Sequence, residues 1–182
     1  MNIKKTANLL INFTIKRLAE IFGVLIFFAG GMLLLALITY SPNDPNFIFP
    51  ENTKIENFMG FQGSFISDLF FQSVGLAAYL IPFTLLVTGI NIFKTKDFFL
   101  FIENNFFTIL YLIFGSLFLA HYYSDTYALY INGNSGFVGK YLAETFLKSL
   151  ILINEDIFFY ILILTFFIFF LCSINFNIKQ FI

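Results

Sequence analysis

Tryptophan is absent from this chain, and cysteine and histidine occur once each among its 182 residues. A lone Cys172 cannot close an internal disulfide, and with His121 as the single histidine there is no metal-ligand spacing. Charge is scarce too. Asp, Glu, Lys and Arg make up 12% of the chain, against roughly 25% in an ordinary soluble domain. That deficit excludes a surface that faces water all round. The net charge of −1 leaves no basic footprint for nucleic acid. No cluster of carboxylates or histidines offers acid–base chemistry. No catalytic site and no cofactor is therefore expected.

What is present is apolar. The chain is 59% hydrophobic and carries 30 phenylalanines. The natural solvent of such a chain is a bilayer. Phe stands in for Leu at lipid-facing positions, and tyrosine takes the interfacial anchoring that Trp often provides. Tyr40, Tyr79, Tyr122, Tyr123 and Tyr160 all lie at or near the ends of apolar runs.

A membrane helix needs roughly 20 apolar residues to cross about 30 Å of hydrocarbon. Four runs qualify, at residues 21–40, 74–93, 106–121 and 157–174, and none has a charge in its middle. The first exceeds the usual apolar core of a signal peptide and lacks small-residue cleavage chemistry near Tyr40. It reads as a retained helix. Residues 1–20 form a cytoplasmic or interfacial lead, moderately amphipathic from Asn8 to Glu20. Residues 41–73 and 122–156 are outer loops, residues 94–105 a cytoplasmic turn, and residues 175–182 a cytoplasmic tail. Lys4, Lys5, Lys16, Arg17, Lys94, Lys96 and Lys179 then face inward, against Lys54, Lys140 and Lys148 outward. That bias places both termini inside. The expected fold is a single all-α membrane domain, residues 1–182, with four transmembrane helices, N-in and C-in.

The outer loops carry pattern. Phe61, Phe65, Ile66, Leu69 and Phe70 recur at helical spacing, with Ser64, Asp68 and Gln72 on the other face. Val138, Leu142, Phe146 and Leu150 make a second stripe, opposite Lys140, Glu144 and Lys148. Each segment predicts a short amphipathic helix in the outer interface, apolar side toward lipid or toward the bundle.

Several features imitate chemistry. Residues 133–141 look like a nucleotide-binding loop, but the position after Lys140 is Tyr141, where Ser or Thr is needed, and no strand precedes it. His121 has no second histidine near it and reads as an interfacial residue. Pro82 interrupts the second run and reads as a tolerated kink. Ala19 and Gly23, Ser73 and Ala77, and Ser116 and Ala120 stand four apart, and Gly30-Gly31 centres the first run, so these faces suit close helix packing.

One constellation is more specific. The first run ends in Tyr40-Ser41-Pro42-Asn43-Asp44-Pro45, followed by Asn57, Gly60, Gly63, Asp68, Gly75, Ala78, Tyr79 and Pro82. This resembles the N-terminal four-helix membrane domain of the FtsK/SpoIIIE family of DNA translocases, over residues 16–174. Ser64 and Ser67 replace alanines of the family pattern. A glycine-rich turn is reduced here to Gly136 and Gly139. The prolines stop a helix at the interface, and Gly60 and Gly63 allow tight turns.

The resemblance implies a membrane anchor in the bacterial inner membrane, at the division septum, for a motor that moves DNA during chromosome segregation. The motor part is absent from this chain, and contact with DNA would pass only through it. The implied partners are the lipid bilayer, division-site membrane proteins and further copies of the chain. The candidate interaction residues are Tyr40, Ser41, Pro42, Asp44, Pro45, Asn57, Gly60, Gly63, Asp68, Gly136 and Gly139. The competing reading is a small polytopic protein unrelated to division, such as a transporter subunit or accessory protein, with Pro82, Asn91 and His121 lining a polar cavity.

Overall fold

A computed structural model describes residues 3–45, 54–123, 132–145 and 154–176, with side chains from residue 7 onward. Helix α1 spans Ile3–Ile38, α2 Gly60–Val74, α3 Leu80–Thr95, α4 Phe99–Tyr122, α5 Gly136–Glu144 and α6 Glu155–Ser173. A 3-10 turn, Gly75–Tyr79, joins α2 to α3. All regular structure among the described residues is helical, as hydrocarbon demands of a backbone that must satisfy itself. Among the described residues, four helical stretches are long and apolar enough to cross a membrane: Ala7–Ile38, Gly60–Thr95, Phe99–Tyr122 and Glu155–Ser173.

Local chemistry sets the breaks. Gly75 sits at φ 62°, ψ −144°, a region open almost only to glycine, and there α2 stops. Lys96 ends α3 in a left-handed cap, its N–H donating to the Ile92 carbonyl. Asp97 then accepts from the Phe99 N–H at 2.9 Å and opens α4. Asn154 caps α6 through the Ile157 N–H, with Glu155 and Asp156 in the first turn, where the helix dipole favours them.

These breaks relocate two sequence features. Pro82 is not in the middle of a helix. Because the 3-10 turn runs to Tyr79 and α3 starts at Leu80, Pro82 is the third residue of α3, in the first turn where proline is best tolerated. Likewise α4 begins at Phe99, so much of the stretch read as a turn at residues 94–105 is already helical. The run at residues 74–93 is divided among the end of α2, the 3-10 turn and α3.

The long helices form two pairs. Antiparallel α1 and α3 pack along their lengths, α6 packs on α4, and α3 against α4 joins the pairs. Gly23 and Gly89 make the first crossing possible. A Cβ on Gly23 would lie 2.7 Å from the Gly89 carbonyl oxygen, so the two backbones touch. Gly30 meets Pro82 and Leu85 in the same interface, while Gly31 faces open space. At one end, Glu20 pairs with Lys96 at 2.9 Å and with Arg17. At the other end the core gathers Leu37, Phe71, Ala77, Ala78, Ile81, Tyr111 and Leu112.

Candidate interaction site where α1 meets α2

The last turn of α1 unwinds through Thr39, whose hydroxyl returns to the Leu35 carbonyl at 2.7 Å. Pro42 follows, and the Asp44 N–H closes a turn onto the Ser41 carbonyl at 3.2 Å. This points the Asp44 carboxylate back into the fold, where it is 2% exposed. Its two oxygens accept the N–H groups of Glu56 at 2.8 Å and Asn57 at 2.9 Å. A buried carboxylate needs such donors, because a charge without them is expensive to remove from water. Asp44 thereby staples the chain leaving α1 to the chain entering α2.

Asn57 completes the staple from the other side. Its amide nitrogen donates to the Ala36 carbonyl at 2.9 Å and the Thr39 carbonyl at 3.3 Å. These are among the carbonyls a helix end leaves unsatisfied. Its amide oxygen accepts the Met59 N–H at 3.0 Å, which starts α2. The Phe58 N–H adds a bond to the Thr39 hydroxyl at 3.1 Å. Gly63 makes room, since a Cβ there would collide with the Asn57 amide oxygen. Gly60 turns the chain at φ 67°.

Helix α2 then lies with its polar side inward. Ser64, Ser67 and Asp68 are buried, while Phe61, Ile66 and Leu69 are exposed. Ser64 donates to the Pro45 carbonyl at 2.9 Å. The Tyr40 hydroxyl donates to Asp68 Oδ1 at 2.9 Å. The Tyr40 ring leans on Phe71 at 4.8 Å, and Phe71 on Tyr79 at 5.1 Å. Of the two orientations left open by the pattern, the structure shows the apolar stripe turned outward.

The structure thus brings Tyr40, Asp44, Pro45, Asn57, Gly63 and Asp68 into one linked cluster, with Gly60 at its turn. Ser41 supplies the carbonyl that Asp44 closes onto, and Pro42 is half-buried beside it. Gly136 and Gly139 form a second cluster. The Leu76 N–H donates to the Asn134 carbonyl at 2.8 Å. Gly136, at φ 65°, stacks on the Ser73 to Gly75 backbone, and Gly139 on the Ser116 backbone. Ser116 in turn donates to the Val74 carbonyl at 2.9 Å. On α5, Lys140 and Glu144 are exposed opposite the glycines. Phe146, Lys148 and Leu150 of that stripe lie outside the described residues.

Some contacts had no signal in the sequence. His121 pairs with Glu155 at 3.2 Å, and the Tyr122 hydroxyl donates to the Glu155 carbonyl, fastening α4 to α6. A buried polar seam joins three helices. The Thr84 hydroxyl lies 3.1 Å from the Tyr111 hydroxyl and 3.3 Å from the Ser173 hydroxyl, and Asn104 donates to the Thr88 hydroxyl at 2.7 Å. Hydroxyls and amides are weak hydropathy signals, and these pairs are far apart in sequence. The cavity of the competing reading does not assemble. Asn91 lies near the end of α3 beside the turn into α4, and His121 lies at the far end of α4.

Four apolar helical spans stapled by a buried Asp–Asn loop define a multi-pass membrane domain in contact with lipid. The chain belongs to the family described as the 4TM region of DNA translocase FtsK/SpoIIIE, which it matches over residues 15–182. Its relatives include DNA translocase FtsK of Caulobacter vibrioides, 38% identical over 69 residues, covering 38% of this chain and 8% of that protein. DNA translocase FtsK of Rickettsia prowazekii is 27% identical over 157 residues, covering 86% of this chain and 21% of that protein. The protein of that name from Rickettsia typhi is 28% identical over 126 residues, covering 69% and 17%. The aligned part thus spans about a fifth or less of these relatives. No solved structure matches the chain.

Proposed function

We propose that this chain is the membrane-anchoring and septum-targeting domain of a cell-division DNA translocase of the bacterial inner membrane. The observation that carries the reading is the family match across residues 15–182, joined to a buried Asp44–Asn57 staple at the positions of its most specific motif. In this reading the chain catalyses nothing itself and binds no DNA directly. It supplies a rigid insert in the bilayer, while DNA movement in chromosome segregation belongs to a motor outside these residues. Both termini face the cytoplasm, in keeping with seven basic residues on that side against three on the other. Helices α2 and α5 lie in the outer interface, where their exposed aromatic residues meet lipid and division-site membrane proteins.

The test is the position of a C-terminal fluorescent fusion in dividing cells, using a reporter that fluoresces only in the cytoplasm. A bright band at midcell is the expected result. Even labelling of the whole envelope overturns septal targeting by this domain. A well-expressed but dark fusion overturns the cytoplasmic placement of the C-terminus.

A further inference from the structure

We infer that a second copy of this chain packs parallel to it along α1, through one apolar stripe that runs from the bilayer into the helical overhang beyond. Helix α1 is unbroken from Ile3 to Ile38, about 54 Å at 1.5 Å per residue. Arg17 and Glu20 on α1, with Lys96 at the end of α3 paired to Glu20, mark the level where the hydrocarbon ends. From Ile21 to Ile38 the helix covers about 27 Å, close to the roughly 30 Å of a bilayer core. As much again continues in the same line beyond Glu20. The headgroup layers of both leaflets together add only about 10–15 Å to the hydrocarbon, so lipid covers little of that overhang.

One face of α1 is already filled. Ala19, Gly23, Gly30 and Leu37 are buried at heptad spacing, and the two glycines meet α3. A second heptad stripe lies one residue, about 100°, around the helix. It runs Ile11, Ile15, Leu18, Phe22, Leu25 and Ala29, alternately four and three residues apart, and ends at Met32. All of these are exposed except Phe22, which is half-buried against the Phe98 and Phe101 rings. No polar residue interrupts the stripe. With Ile15 at an a position and Leu18 at d, Lys16, Arg17 and Glu20 fall at b, c and f, away from it. Phe13, also off the stripe, lies under the Arg17 guanidinium at 5.1 Å. An apolar a/d repeat of this length is the pattern of a coiled coil, and Ile at a with Leu at d favours two parallel strands.

Height selects the occupant. Ile11 stands about 14 Å beyond Glu20, and no other described helix reaches it, because α3 ends level with Glu20. Lipid covers the stripe within the bilayer but not the overhang, and a partner dissolved in water covers only the overhang. A second copy inserted the same way brings an identical stripe at the same height and covers both parts at once. With the charges off the stripe, the two overhangs meet without burying like charges. At the far end, Ala29 and Met32 open on an apolar crevice of about 340 Å³ between α1 and α2, with room for the partner's side chains.

The inference rests on the membrane placement of α1, but not on which side the N-terminus faces or on the septal role, so disulfide scanning in isolated membranes tests it separately. The full chain in a Cys172→Ser background carries one cysteine at a time, on the stripe at Ile11, Leu18 or Leu25, or off it at Lys16 or Phe27. Oxidation by copper phenanthroline is followed as dimer formation on a non-reducing gel. Coupling several-fold faster at the three stripe positions than at the other two is expected, and it should persist when the membranes are diluted by fusion with added lipid. The I11E/I15E variant alters only side chains that touch no other described helix. It should leave the melting temperature in detergent unchanged and slow coupling at Leu25→Cys several-fold. Equal coupling at all five positions, or none on the stripe, overturns the inference. Coupling at Leu25→Cys that ignores I11E/I15E overturns the part given to the overhang. Stripe cysteines that couple only to a protein of different mass overturn the second copy as the occupant.

Discussion

The Tyr40 hydroxyl donates to Asp68 Oδ1 at 2.9 Å, across 28 residues of chain. That bond ties the end of α1 to the middle of α2 and explains why α2 hides its polar face. In water the apolar stripe of such a helix turns inward. Beside a bilayer, lipid accepts the apolar stripe, and polar groups gain by finding one another inside the protein.

The staple should be the most sensitive point of the loop. Asp44→Asn keeps the shape but replaces one carboxylate oxygen with a donor facing a backbone N–H. A loss of about 1.5–3 kcal/mol follows, the value of a hydrogen bond to a charged group. It would be read as a lower melting temperature in detergent. An unchanged midpoint would mean that Asp44 does not hold the loop.

The two loop glycines should fail by different mechanisms. Gly63→Ala drives a Cβ into the side chains of Asn57 and Met59 and should cost about 1–3 kcal/mol through overpacking. At Gly60 there is open space, and only φ 67° resists, so Gly60→Ala should cost about 1–2 kcal/mol. Replacing Asn57 by Ala in a double-mutant cycle separates them, because only the Gly63 penalty should shrink, and only in part, since Met59 still meets the added Cβ.

Close packing of α1 on α3 predicts a sharp contrast between neighbours. Gly23→Val must part the backbones at Gly89 and should prevent stable insertion or lower the melting temperature strongly. Gly31→Ala meets no atom within 4 Å and should be close to neutral. Comparable effects of the two would show that α1 and α3 do not cross at Gly23.

Pro82→Ala should leave the melting temperature and membrane abundance nearly unchanged, because the first turn of α3 is where a helix tolerates proline best. A large effect would point instead to a hinge within a longer helix.

Tyr111→Phe removes the hydroxyl that meets Thr84. Hydrogen bonds between membrane helices are worth about 0.6 kcal/mol on average and up to about 2 kcal/mol, and a shift of that size is expected. Ser173→Ala combined with Tyr111→Phe should cost less than the sum of the two, since both act through Thr84.

By itself the sequence determined the solvent and the four apolar helices, but not the break at Gly75 or the start of α4 at Phe99. Hydropathy, proline, glycine and asparagine act locally, so their effects could be read without knowing what lies opposite. The residues from Tyr40 to Asp68 stood out as a group only through their resemblance to a family motif, and the bonds among them came from the structure. Only the tertiary structure decided which face of α2 turns inward, because polarity does not say what a residue faces when the surrounding solvent is lipid. It also decided that Asn57 serves the carbonyls of Ala36 and Thr39, that His121 meets Glu155, and that Thr84, Tyr111 and Ser173 converge. Those partners stand from 18 to 89 residues apart, and their pairing follows from how α1, α3, α4 and α6 are laid side by side.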